Sequence, residues 1–204
     1  MFNDFLKFDT TFATRLKDFK SWHKGIEHFG FWAIEVSTLS CLDEIKKHQE
    51  HLKYKLHADY SRQAHITLQA SGLLCEDFFS KEQIKNQVLE LKKNNIKCFP
   101  LILSTCNSFS TCPYLIVKDS FSNLTTIRQT LNSISNENKL SVYTPHITLG
   151  FYNNEYNTSD IVKNISSINS LEVEFMVNEI VFAQYKTKEI QGPYEVLHRI
   201  KLGA

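Results

Sequence analysis

The tetrapeptide His-Ile-Thr-Leu occurs twice in this chain of 204 residues, at 65–68 and again at 146–149. In an extended strand, neighbouring side chains point to opposite faces, so each copy places its histidine and threonine on one face and its isoleucine and leucine on the other. We expect the apolar pair to face a core and the polar pair to face a cleft. The repeat therefore predicts two matching strands that present His65 and His146 to one space.

Two such histidines are suited to proton transfer at a phosphodiester. An imidazole with an ordinary pKa of about 6.5 accepts or donates a proton near neutral pH, so one can act as general base and the other as general acid. The hydroxyls of Thr67 and Thr148 would bind the non-bridging phosphate oxygens, where negative charge grows in the transition state. The pattern predicts an in-line displacement at phosphorus without a metal ion, and it leaves open which histidine is the base.

Each of these residues also has a structural interpretation. A single histidine in a strand is more often a hydrogen-bonded structural residue, and threonine is common in strands because it is β-branched. The shared phase of the two copies, each with the same threonine partner, favours the catalytic interpretation. His48 and His51 lie three positions apart in a charged stretch with no cysteine or third ligand nearby, so no metal site is predicted there. The other histidines carry no further signal: His23, His28, His57 and His198.

Aromatic and basic residues near the motifs are weaker candidates. Tyr152 and Tyr143 are predicted as possible base-stacking residues, with packing in the core or at the rim as the alternative. Arg62 precedes the first motif and is a candidate phosphate contact, although a lone arginine is usually a solvated surface charge. The lysine-rich stretches at 46–47 and 92–93 also contain glutamates, so we interpret them as solvated helix faces.

The elements that carry the motifs occur in the same order in both halves of the chain. The first half predicts strand, helix, strand, helix and strand at about 31–36, 40–57, 63–74, 80–94 and 96–104. The second predicts a strand from Tyr114, a helix capped by Ser120 or Ser122 that runs towards Ser135, an Asn-rich turn at 136–139 and the second motif strand. A short helix at about 158–166 and strand segments at 171–186 and 193–202 complete the chain.

This order indicates an internal duplication. Phe31 precedes His65 by 34 positions, and Tyr114 precedes His146 by 32. The predicted fold class is α+β, with a bilobal, pseudo-two-fold arrangement of two antiparallel-sheet lobes, helices outside and a central cleft. Residues 1–204 are expected to form a single domain. Its predicted parts are an N-terminal extension at 1–30, lobe one at about 31–104 and lobe two at about 112–204. The extension is expected to form one or two short helices, with Phe12, Leu16 and Phe19 spaced by four and three residues on one helical face.

Composition excludes several other classes of protein. The 23 lysines and arginines nearly cancel the 22 aspartates and glutamates, so no strong positive field is available to bind long duplex DNA. The charged N-terminus resembles no secretory signal, and about 18 consecutive apolar residues, as a membrane span needs, occur nowhere. Five cysteines without a CxxC pair indicate reduced thiols and a cytoplasmic protein.

The motifs resemble those of the two-histidine phosphoesterase superfamily, which includes bacterial 2′-5′ RNA ligase-like cyclic phosphodiesterases. The second copy follows Pro145 and precedes Gly150, and the first continues to Gly72, similar to the HITLxxxG pattern of that group. Over about 31–202, the resemblance implies the bilobal fold and hydrolysis or transesterification of 2′,3′-cyclic phosphates, 2′-5′ linkages or related nucleotides. Residues 1–30 have no counterpart in the pattern of that family.

The expected activity is therefore a phosphodiesterase that uses no cofactor and acts, as a monomer, on a nucleotide or an RNA terminus. Within the enzyme class, the alternative substrate is a cyclic or 2′-5′ oligonucleotide second messenger. Outside that class, the alternative is a non-catalytic module that binds RNA ends or nucleotides. The intact pair of histidines argues against such a module.

Overall fold

The computed structural model describes residues 2–135 and 143–203. The Asn-rich turn predicted at 136–139 lies outside the described residues. The described strands are β1 His28–Glu35, β2 His65–Leu73, β3 Phe99–Ser108, β4 Pro113–Lys118, β5 His146–Thr148, β6 Val173–Val177, β7 Glu179–Lys186 and β8 Tyr194–Lys201. The described α-helices are α1 Lys20–His23, α2 Leu39–Leu52, α3 Lys81–Lys93, α4 Asn123–Asn132 and α5 Thr158–Ser166. In this part of the chain, no helix combines the length and apolarity that crossing a bilayer requires.

The helices begin near the predicted positions, with one change in the capping residue. The Ser80 hydroxyl accepts the backbone N–H of Gln83, and the Gln83 side chain accepts the Ser80 N–H, so α3 begins with a capping box. Helix α4 follows Ser122, as predicted, but Asp119 caps it: one carboxylate oxygen accepts the N–H of Leu124 at 2.7 Å. The helix predicted to run to about residue 57 ends earlier, at the last residue of α2.

The N-terminal extension differs from the predicted helical face formed by Phe12, Leu16 and Phe19. Helical turns occur only at Phe5–Lys7 and in α1 within residues 2–30, and the chain between them is not helical. The backbone N–H of Phe12 donates to the carbonyl of Ser110 at 2.7 Å. An isolated short helix is marginal in water, and here the backbone groups pair with distant parts of the chain instead. That part of the prediction is wrong.

The strands form two antiparallel four-stranded sheets, which confirms the predicted fold class. The first sheet has the order β2-β1-β7-β8, and the second has the order β5-β4-β3-β6. Both motif strands, β2 and β5, are therefore edge strands, each beside the first strand of its half. The two edges contact one another. This pseudo-two-fold arrangement places the two motifs side by side.

The sheets exchange strands across the predicted lobe boundaries. Strand β3, expected to close lobe one, pairs with β4 and β6 in the second sheet. Strands β7 and β8, expected in lobe two, pair with β1 and with each other in the first sheet. The segment 171–186, predicted as one strand, is interrupted at Asn178 because its two parts belong to different sheets. Pairing of this kind depends on contacts distant in sequence, which local patterns do not report.

One hydrophobic core extends under both sheets. It includes Ile66 and Leu68 of the first motif, and Ile147 and Leu149 of the second, each at most 1% exposed. Helices α3 and α4 cover the core with apolar faces spaced by three and four residues, as an amphipathic helix requires. Since the two motifs rest on the same core, their relative position depends on its packing.

A buried polar network crosses this core beside the first sheet. The indole N–H of Trp32 donates to Gln87 Oε1 at 2.6 Å, and Gln87 Nε2 donates to Gln69 Oε1 at 2.7 Å and to Ser135 Oγ at 2.9 Å. The Gln69 amide donates to Asn132 Oδ1 at 2.7 Å. The network thus joins β1, β2, α3 and the C-terminal end of α4, with Trp32, Gln69 and Gln87 buried and with Asn132 and Ser135 partly buried.

Replacement of Gln87 tests the contribution of this network to stability. We expect Gln87→Leu to lower the free energy of unfolding by about 2 kcal/mol, because it leaves the Trp32 N–H and the Gln69 carbonyl without these partners in the core. Urea denaturation measures the change. The matched control is Asn86→Leu at the neighbouring exposed position of α3, which should stay within about 0.5 kcal/mol of the parent. Equal stability of the two variants would contradict the prediction.

Candidate active site

The two motifs show the predicted alternation of faces. Within β2, Ile66 and Leu68 are fully buried, whereas His65 and Thr67 are half-buried on the opposite face. The second motif repeats this pattern around β5. The polar residues of both copies therefore lie on the side of each edge strand that faces away from the core.

Each catalytic candidate is oriented by the same hydrogen bond. His65 Nδ1 lies 2.8 Å from the carbonyl oxygen of Gln63, and His146 Nδ1 lies 2.7 Å from the carbonyl oxygen of Thr144. A carbonyl oxygen only accepts, so Nδ1 carries the hydrogen in both rings. Nε2 is then the atom of each imidazole that can accept or donate a proton in a reaction.

Aromatic rings enclose both imidazoles. The His65 ring lies 5.4 Å from the ring of Phe31 and 5.3 Å from that of Tyr194, centroid to centroid. The His146 ring lies 5.0 Å from the ring of Phe109 and 5.2 Å from that of Tyr114. Sequence reasoning missed these four residues as parts of the site. The signal that could have identified two of them is the aromatic residue in the first strand of each half, Phe31 in β1 and Tyr114 in β4.

This enclosure alters the acidity of the histidines. The pKa of His65 is lowered to about 4, mainly by burial; the hydrogen bond to the Gln63 carbonyl opposes this change, and the charges of Arg62 and His146 add to it. Burial also lowers the pKa of His146, while its bond to the Thr144 carbonyl opposes the change. Both imidazoles of the free protein are therefore neutral at pH 7.

The threonines of the motifs lie beside the histidines in different surroundings. In the strand register, Thr67 is opposite Ala33, and Thr148 is opposite Tyr114. The Thr148 hydroxyl also interacts with the Cys112 thiol, whose pKa burial raises to about 11. That thiol therefore stays protonated at neutral pH, and it leaves the site without an added negative charge.

The two tyrosines predicted to stack a base lie in different surroundings. Tyr152 is fully buried, and its hydroxyl lies 2.7 Å from Ser108 Oγ. The stacking prediction for Tyr152 is wrong, because β5 ends at Thr148 and the alternation that it assumed does not extend to residue 152. Tyr143 is half-buried and donates its hydroxyl to the carbonyl of Thr67 at 3.0 Å, which joins the two motif strands.

Two arginines lie near the motifs. The Arg62 guanidinium lies over the Tyr185 ring at 4.1 Å, and Arg62 Nε donates to the carbonyl of Gly192 at 3.0 Å. Arg62 is thus held near His65, whose pKa its charge lowers. The Arg128 guanidinium lies 4.0 Å from the centre of the Tyr143 ring and donates to the carbonyl of Leu68. Arg128 therefore helps to hold the two motif strands together.

The remaining histidine pair considered in the sequence lies away from the motifs. His48 is buried in α2, with Nε2 at 3.2 Å from a Glu44 carboxylate oxygen and 3.2 Å from Ser170 Oγ. His51 Nε2 lies 3.1 Å from the carbonyl of Asn164. Within residues 2–135 and 143–203, no three His, Cys, Asp or Glu side chains are grouped as metal ligands.

Comparison with known proteins gives one family and a set of similar folds. The family model of the 2′-5′ RNA ligase superfamily matches residues 38–189. A search of curated proteins gave no match. The structure of E. coli LigT complexed with 3′-AMP is similar with a TM-score of 0.57 at 15% identity, over 86% of this chain and 98% of that one.

Two further structures share the fold. TT0787 of Thermus thermophilus has a TM-score of 0.58 at 12% identity, over 85% of this chain and 97% of that one. Usb1 of Kluyveromyces marxianus has a TM-score of 0.52 at 14% identity, over 85% of this chain and 98% of that one. At these identities, the likeness establishes the fold alone.

The lowered pKa values can be measured directly. In a titration followed by NMR of the imidazole nitrogens, we expect His65 to take up its proton near pH 4 and His146 below pH 6.5, both in the Nδ1–H form at pH 7. The variants His65→Gln and His146→Gln assign the signals. In urea, both midpoints should return to about 6.5. A folded-state midpoint for His65 at or above that value would contradict the described enclosure.

Proposed function

The chain belongs to the 2′-5′ RNA ligase superfamily, and on that premise we propose that it is a metal-independent phosphodiesterase acting on 2′,3′-cyclic phosphates or 2′-5′-linked nucleotides and RNA. The observation that carries the proposal is the pair of imidazoles on adjoining edge strands, His65 and His146, each with Nδ1 bonded to a carbonyl and Nε2 left for proton transfer. Two equivalent proton carriers are what an in-line displacement at phosphorus requires.

In this mechanism, the Nε2 atom of one neutral imidazole takes the proton of the attacking water or hydroxyl. The new bond from that oxygen to phosphorus forms while the bond to the leaving oxygen breaks, and the other imidazole donates its Nε2 proton to the leaving oxygen. Since both imidazoles are neutral in the free protein at pH 7, one of them must gain a proton when substrate binds. The negative charge of the phosphate favours this uptake by raising the imidazole pKa.

The threonines and the fold supply the rest of the proposed site. The hydroxyls of Thr67 and Thr148 would donate to the non-bridging oxygens, which gain negative charge in the transition state. A nucleotide as ligand agrees with the similar fold of E. coli LigT, for which complexes with 3′-AMP, ATP and NADP⁺ are described. Arg62, held near His65, is the proposed additional contact for phosphate.

We also propose that the protein acts as a monomer in the cytoplasm. Both motif strands come from one chain, so a single copy contains both imidazoles. Five cysteines remain as free thiols, which agrees with a reducing compartment: Cys41, Cys75, Cys98, Cys106 and Cys112.

The central experiment is an assay on 2′,3′-cyclic nucleotides and 2′-5′ dinucleotides in the presence of EDTA. We expect turnover to persist, and we expect His65→Ala and His146→Ala each to reduce kcat by at least about 10²-fold. The double variant should be little worse than either single one, because the two groups act in one step. The control is His51→Ala, which alters an exposed histidine of α2.

Three results would contradict this proposal. One is loss of turnover in EDTA that a divalent ion restores. A second is full activity in either single variant. The third is nucleotide binding by the parent protein without turnover of any phosphodiester, which would instead indicate a binding module.

The threonines are tested separately. We expect Thr67→Val or Thr148→Val, which keep the β-branched shape, to reduce kcat by roughly 10²-fold, as the loss of one donor to a transition-state oxyanion does elsewhere. Steady-state kinetics with thermal melting of each variant measures the effect. Thr125→Val, at an exposed position of α4, is the matched control. Parental rates in both motif variants would return these threonines to a purely structural role.

A further inference from the structure

A cavity of about 290 Å³ lies between the N-terminal segment and the turn that joins β3 to β4. Asp4 and Phe8 line it from the N-terminal side, and Phe109, Tyr114 and Thr144 line it from the other. The N-terminal residues lie before the span of 38–189 that the family model matches. The cavity is therefore built in part by residues outside the matched span.

The cavity is separated from the His146 imidazole by residues that contact both. The carbonyl of Thr144 accepts the Nδ1–H of His146 at 2.7 Å, and the rings of Phe109 and Tyr114 lie 5.0 and 5.2 Å from the imidazole. Three lining residues thus contact the ring that is proposed to transfer a proton at phosphorus. A group bound in the cavity would be one residue away from the His146 imidazole.

The N-terminal wall is held in place through its backbone. The Thr158 hydroxyl donates to the carbonyl of Phe8 at 2.7 Å, and the Thr158 N–H donates to the carbonyl of Asp9 at 3.0 Å. The N–H of Thr11 donates to the carbonyl of Tyr156 at 2.8 Å. Because these anchors are backbone groups of the segment, the Phe8 side chain can be replaced without removing them.

The lining indicates the chemistry of the occupant. Small-molecule sites start at about 300 Å³, so the cavity has room for one flat ring system and not for an oligonucleotide. Phe8 keeps 43% of its surface exposed, which leaves an aromatic ring available for stacking. None of the described residues that line the cavity is basic, and the Asp4 carboxylate is paired with the ammonium of Lys7 at 2.5 Å. The lining therefore offers no cation to a phosphate, and an uncharged, flat nucleobase fits its largely aromatic walls.

We propose that residues 2–14 complete a nucleobase subsite on the His146 side of the cleft, in which Phe8 stacks on the base of the nucleotide whose phosphate lies between the two histidines. This inference rests on the proposed phosphodiesterase function for the position of the phosphate. It adds a specificity-determining role for the N-terminal segment, which supplies binding energy for the base and none of the proton transfer.

The test compares substrates with and without a base. With adenosine 2′,3′-cyclic phosphate, Phe8→Ala should raise KM by about tenfold and leave kcat within about threefold, as expected when stacking is lost equally from ground and transition states. With ribose 2′,3′-cyclic phosphate, which has no base, Phe8→Ala and the parent should have the same KM. The control is Leu6→Ala, at an exposed apolar residue of the same segment that is outside the cavity lining; Phe12 is unsuitable because its ring lies 5.9 Å from that of Phe8.

Equilibrium binding of 3′-AMP separates this inference from the proposed activity. Tenfold weaker binding by Phe8→Ala than by Leu6→Ala, at equal melting temperatures, supports the subsite even if no phosphodiester is turned over. Equal 3′-AMP affinities for the two variants, or the same Phe8→Ala effect on both cyclic phosphates, would overturn the subsite even if the parent protein is an active phosphodiesterase.

Discussion

The bond from each histidine Nδ1 to the carbonyl two residues earlier is the interaction on which the site depends. It joins His65 to Gln63 and His146 to Thr144, so it lies at the point where each motif strand begins. It selects the tautomer and holds the ring so that Nε2 is the atom left for the proposed proton transfer. Without it, an imidazole with a lowered pKa would still be neutral, but either nitrogen could carry the hydrogen and the ring could rotate.

The two hydrogen bonds can orient both rings towards one cleft only because the fold brings the two strands together. Both motifs are on edge strands, and their apolar residues share one core, so the edges adjoin on the side of the cleft. The exchange of β3 and β7 between halves links the sheets through the chain itself. Tyr143 and Arg128 add direct bonds to the carbonyls of Thr67 and Leu68, which tie the second half of the chain to the first motif.

The pseudo-symmetry is broken by what surrounds each imidazole. Near His65, Tyr194 donates its hydroxyl to Glu35 at 3.1 Å, and Arg62 supplies a positive charge. Near His146, the N-terminal segment closes a cavity and contributes Asp4, whose carboxylate pairs with Lys7 at 2.5 Å. The two imidazoles therefore share one hydrogen-bonding pattern but differ in the residues that flank them.

Local interactions made part of this protein predictable from its sequence alone. The alternation of the motifs, the Ser80 cap of α3 and the order of strands and helices follow from contacts within a few residues, and the structure agrees with them. The tertiary structure alone decided the exchange of strands, the backbone pairing of the N-terminal segment, the burial of Tyr152 and the aromatic walls of the imidazoles. Each of these depends on which distant segments pack together, because hydrogen bonds between edges and the filling of a shared core are properties of the whole chain.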